Sequence, residues 1–256
     1  MLLFEAHLVV HVGSVQEEED EQGIAHMTEH VVGTDKYSRL YQIGVTSSAR
    51  MDFIRTDYYF SSQTILEHFD KDILNGDLDD GDLVPYVLDA LSKQTFKPKI
   101  QASVLEKQRH IVLSELQMSN TIDDRIELQL CQHLHSENKL SKRRILGLED
   151  QIKKWSIAQI KRFHKRWYFP GNATLYIVGD INVSKTIDAI QAKFGRLHNK
   201  RSSEILRNEG HITCHHWSLP RSNIDDQKRP QIFQHKLIHN FSFYIYSKVN
   251  DLNLYL

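Results

Sequence analysis

Phe4, Ala6, Leu8, Val10 and Val12 fall on one face at a spacing of two, which predicts an opening strand with one side to bury. Gly13-Ser14 ends it. An acidic run, Glu17 to Glu21, leads into Gly-Ile-Ala-His-Met-Thr-Glu-His-Val-Val-Gly. Acids before and in a first turn suit a helix start and Gly33 suits its end, so residues 21 to 32 are predicted as a short helix. Further strands are predicted at 57 to 64 and 173 to 181. Recurrence at three and four predicts a helix from Val84 to Phe96, a long or broken one from 101 to about 136, and others at 149 to 167 and 184 to 197. Residues 199 to 230, rich in Arg, Ser, Asn and His, read as a linker. Beyond it Phe241, Phe243 and Ile245 alternate with Ser242, Tyr244 and Tyr246 as a last strand. The expected organisation is therefore 1–198 as the main domain, 199–230 as linker and 231–256 as the start of a truncated second domain.

Composition narrows the function. Hydrophobic residues make up 40% and charged residues 25% of 256, the balance of a folded chain rather than a disordered one. With 32 basic and 33 acidic side chains the formal charge is -1, so no global field draws in nucleic acid or an anionic membrane, and neither is expected as a partner. No apolar run approaches the roughly 18 residues that span a bilayer. Cys131 and Cys214 lack metal-ligand spacing and read as packing residues. The first residues carry Glu5 and no Arg, unlike a signal or transit peptide, so a chain complete as written would stay in the cytoplasm. The unusual feature is histidine, with 15 residues.

His26-Met27-Thr28-Glu29-His30 is the sharpest motif. On a helix, residues four apart share a face, so both imidazoles can reach one ion at about 2.0–2.1 Å, while Glu29 stands beside it without binding. A metal-activated water next to a carboxylate is the arrangement of a zinc hydrolase. Two surface histidines on a helix are the other reading, because the pattern is short. A catalytic zinc needs a third protein ligand. Glu115 is a candidate, on a helical face with Ile111, Val112, Met118 and, further back, Gln108; a carboxylate in an apolar stripe calls for a positive partner. A solvated Glu at the stripe's edge fits the spacing equally. His7 and His11 alternate outward on a strand, His133 and His135 lie on opposite sides of a helix, and His215-His216 lie in the linker; all read as structural. The loop NGDLDDGD, 75 to 82, lacks the spacing and closing Glu of a calcium loop.

HxxEH followed by a glutamate in a second helix resembles the inverzincin peptidases of the pitrilysin/insulinase family. So do longer blocks: HVGSVQEEEDEQGIAHMTEHV (11 to 31), residues 112 to 155, RWYFPGNATLYIVGDI (166 to 181), HHWSLPRS (215 to 222) and RPQIFQHKLIHNFS (229 to 242). These blocks are similar to the chloroplast-stromal branch of that family. The resemblance implies an α+β fold, a mostly antiparallel sheet with helices packed on one face, incomplete at both ends. It implies Zn held by His26, His30 and Glu115, with Glu29 as the catalytic base. It also implies endopeptidase action on an extended peptide, the transit peptide of an imported precursor protein, bound as an added strand beside a sheet edge, in the chloroplast stroma. A second metallopeptidase-like half would close over the substrate. Two positions depart from the pattern. Gln108 stands where the family has a supporting glutamate, and Ser48 and Ala49 stand where it has an Asn-Ala pair on the substrate-binding strand. A catalytically inactive truncated homologue, keeping only the fold, metal or peptide binding, is the alternative expectation.

Overall fold

The computed structural model describes residues 3–34, 38–65, 81–197, 231–236 and 242–247. Its frame is one six-stranded sheet in the order β2-β3-β1-β4-β6-β5, built from β1 (Leu3–Val10), β2 (Thr46–Met51), β3 (Thr56–Gln63), β4 (Ala173–Gly179), β5 (Gln231–Lys236) and β6 (Ser242–Ser247). Every pairing is antiparallel except β4 with β6. The opening alternation places β1 between β3 and β4. Phe4, Ala6, Leu8 and Val10 are buried on one face with Tyr58 and Phe60 of β3 and Leu175 and Ile177 of β4. The α+β class with a mostly antiparallel sheet is thus the fold of this chain.

Eight helices are described, α1 (Ile24–Gly33), α2 (Ser38–Gln42), α3 (Val84–Phe96), α4 (Ala102–Met118), α5 (Ile122–Leu134), α6 (Glu149–Ile152), α7 (Ile157–Trp167) and α8 (Val183–Phe194), and α1 and α3 pack directly on the sheet. The innermost is α1, where Ile24, Ala25, Met27, Thr28, Val31 and Val32 are all buried. It packs against α3, α4 and α7, so any polar side chain it carries is held among apolar ones.

Two predicted helices are divided. The 101 to 136 region breaks after Met118, because Thr121 caps a new helix: its hydroxyl accepts from the Asp124 N–H at 3.2 Å while the Asp124 carboxylate accepts from the Thr121 N–H at 3.2 Å. The 149 to 167 segment divides likewise at Ser156, whose N–H donates to Gln159 Oε1 at 2.9 Å. Buried Arg109 donates to the Ile152 and Trp155 carbonyls and so satisfies the turn between α6 and α7. β5 was not predicted, since QIFQHK shows no clear alternation. The linker 199–230 and all but the last two residues of the 75 to 82 loop lie outside the described residues.

Candidate functional site

The neighbouring helices α1 and α4 bring His26, His30 and Glu115 together. Their ligand atoms form the group that could hold a metal ion among the described residues. His26 Nε2 lies 3.1 Å from His30 Nε2, and Glu115 Oε2 lies 3.2 Å from His30 Nε2 and 3.6 Å from His26 Nε2. Ligands at about 2.0–2.1 Å on a tetrahedral centre stand roughly 3.3–3.4 Å apart, so the triangle has the size of a zinc site. His26 Nδ1 is buried without a hydrogen-bond partner. The donor set of two imidazoles and a carboxylate fits zinc and leaves a corner for water.

The protonation states favour a cation. Burial, reinforced by neighbouring His30, lowers the His26 pKa to about 3, so its ring is neutral and able to donate a lone pair. On the opposite ring edge, His30 Nδ1 donates to Gln108 Oε1 at 3.2 Å, which leaves Nε2 as the lone-pair atom facing the triangle. Gln108 is buried, so this bond is sheltered from water. The Gln108 amide thus restrains the His30 ring, although it carries no charge.

Glu29 is buried beside the triangle, with Oε2 at 3.8 Å from His30 Nε2. Burial pushes its carboxyl up to about 6, with His30 opposing and Glu115 adding to the rise. Tyr58 and Tyr168 share a hydroxyl–hydroxyl hydrogen bond of 2.9 Å in the core, and burial, with the Glu29 charge adding, raises both phenols. Both therefore stay protonated.

The apolar stripe expected around Glu115 is not a buried one. Val112 is buried, but Ile111 is exposed and Met118 is 77% exposed. The Glu115 side chain is 39% exposed, so it meets the histidines from the solvent side. Ser48 and Ala49 lie on β2, the edge strand beside α1. Ala49 is half-buried toward α1, its Cβ 3.9 Å from where one would stand on Gly33, while Ser48 is exposed. The other described histidines that the sequence singled out are elsewhere. His7 is bound by both Asp57 oxygens at 3.1 and 3.2 Å and stacks on Tyr59. His11 Nε2 pairs with Thr174 Oγ1 at 2.9 Å, His133 is exposed on α5, and His215-His216 lie outside the described residues.

The model of the insulinase family, peptidase family M16, matches residues 4–146, more than half of the chain. This chain belongs to that family. A second model, described as the M16 inactive domain, matches residues 154–255. The chloroplastic stromal processing peptidase of Pisum sativum is 44% identical over 96% of this chain and 22% of its own length. A zinc protease PQQL-like protein of Arabidopsis thaliana is 29% identical over 77% of this chain and 20% of its own. Among solved structures, a mutant of the ferredoxin protease FusC in complex with Arabidopsis ferredoxin matches with a TM-score of 0.66 and 27% identity, covering 78% of this chain and 22% of that one. The chain thus spans about a fifth of the length of these relatives, and it is an M16 peptidase-type domain.

Proposed function

We propose that this chain is the zinc-bearing part of a metalloendopeptidase that removes transit peptides from precursor proteins in the chloroplast stroma. The observation that carries the reading is the convergence of His26, His30 and Glu115 within 3.6 Å, with Glu29 beside them. Likeness to chloroplastic processing peptidases supports the substrate class and the compartment. Among the described residues no helix is long and apolar enough to cross a membrane.

His26, His30 and Glu115 would hold the ion, and Gln108 would keep the His30 ring turned toward it. Bound zinc supplies Lewis acidity and brings the pKa of its water near 7. Glu29 takes the proton from the attacking water and returns it to the departing amine, a role suited to a carboxyl raised to about 6 by burial. An extended peptide would add as a strand along β2, past Ser48 and Ala49, which places its backbone next to α1. A second metallopeptidase-like half would close the site from the other side.

The test is zinc stoichiometry after purification without chelator, followed by cleavage of a transit-peptide substrate with and without phenanthroline. Near one zinc per chain with phenanthroline-sensitive cleavage is expected. Glu29→Gln should abolish cleavage and keep the metal, since it removes the base and no ligand. Loss of zinc in that variant would overturn the assignment of roles.

A further inference from the structure

Gly23 caps α1 with no side chain of its own, yet this helix end is buried. Its first N–H groups therefore need an outside acceptor. Glu17, fully buried eight residues upstream of Ala25, supplies it: Oε2 accepts the Gly23 N–H and Oε1 the Ala25 N–H, both at 2.9 Å. The intervening Ile24 N–H donates to the Glu21 carbonyl at 2.9 Å. His26 follows in the same turn.

Glu17 is itself held from the far side. Arg143, 1% exposed, donates to the Glu17 carbonyl and to the Glu19 carboxylate, each at 3.0 Å. The loop that carries Arg143 lies against the helix start, where Gly23 (φ +92°) and Gly147 (φ +79°) meet so closely that a Cβ on Gly147 would stand 2.3 Å from Gly23 Cα. Only glycine tolerates both the approach and the left-handed backbone. Burial pushes the Glu17 carboxyl up to about 8, opposed by its two N–H donors and the Arg143 charge. Each oxygen carries two lone pairs, so both can go on accepting their N–H whether the group is a carboxylate or a carboxylic acid.

We propose that Glu17 is a positioning residue for the histidine pair, fixing the first turn of α1 so that His26 Nε2 stands opposite His30 Nε2. The inference rests on the zinc reading above. His30, one turn on, has its own restraint in Gln108. His26, whose Nδ1 has no hydrogen-bond partner, is oriented by packing and by the helix backbone that Glu17 anchors. Loss of Glu17 should therefore loosen His26 first.

The experiment titrates the metal-stripped 256-residue chain with Zn²⁺ against a chromophoric chelator and records the Co²⁺ d–d spectrum. It compares wild type, Glu17→Gln, Glu17→Ala and Glu19→Gln, with far-UV circular dichroism and urea unfolding on each. Glu17→Gln keeps the side chain's shape but can accept only one of the two N–H groups, so it remains informative if Glu17→Ala fails to fold. The expected result is a zinc affinity lower by about tenfold or more in folded Glu17→Gln, the scale of groups that orient ligands, with a changed Co²⁺ spectrum. Glu19→Gln, the same substitution on a carboxylate that also meets Arg143 but does not touch α1, should stay within about twofold of wild type. Unchanged affinity in a destabilised Glu17→Gln would make Glu17 a structural cap only and overturn the proposal. An equal loss in Glu19→Gln would also overturn it, by reducing the effect to charge. Wild-type chain that takes up no zinc would overturn the metal reading itself, and this inference with it.

Discussion

Gln108 decides how firmly one of the two imidazoles is aimed. Its Oε1 meets His30 Nδ1 at 3.2 Å in a buried setting, so the ring cannot turn without leaving both groups unpaired. A carboxylate there would add negative charge next to the imidazole proposed to bind the cation and would raise the basicity of the ring. Gln108→Ala should lower zinc affinity by roughly 10- to 100-fold and Gln108→Glu should raise it about tenfold by the same scale. Competition titration checks both. An affinity indifferent to either change would remove Gln108 from the site. From the amino-acid pattern this residue stood out only as a departure from the family. The hydrogen bond that gives it meaning joins positions 78 apart in the chain, and no spacing rule reaches that far.

At the scale of elements, α4 and α5 contrast with α1. The apolar residues of α1 are almost all buried, whereas α5 has no buried residue at all. Ile122, Ile126, Leu130 and Leu134 repeat at intervals of four along α5 and are 54–67% exposed. A helix with such a stripe is predicted from periodicity alone, and it forms, helped by the Thr121–Asp124 capping box. What covers a stripe is a separate matter, settled by neighbours distant in sequence. Leu130→Lys should therefore change stability by no more than about 0.5 kcal/mol. Leu88→Ala, in fully buried α3 packing, should cost about 2–5 kcal/mol. Urea unfolding of the two variants reads the difference, and a large loss in Leu130→Lys would mean that α5 is packed after all. The same distinction explains the divided helices. Apolar recurrence continues through 119–121 and 153–156, but capping side chains and the reach of Arg109 end one helix and start the next.

For the whole molecule, the candidate metal triangle joins α1 to α4, two helices whose proposed ligands lie 85 residues apart or more. Zinc that binds only the folded chain should stabilise it by about 2.7 kcal/mol at a free concentration 100 times its Kd. For a chain of this size that is roughly 5–10 °C in melting temperature, reversed by chelator. A melting curve insensitive to both zinc and chelator would count against a preformed site. The amino-acid order alone determined the strand alternation of β1, the places of α1, α3 and α8, the HxxEH pair on one helical face and the family, because these depend on neighbours within a turn or two, or on long matching blocks. Only the tertiary structure decided that Glu115 faces the histidines, that Gln108 holds His30, that Glu17 caps the helix of the two histidines and that α5 lies exposed. Each of these is a contact between groups far apart along the chain, and such contacts exist only once the apolar faces have packed and fixed where every helix sits.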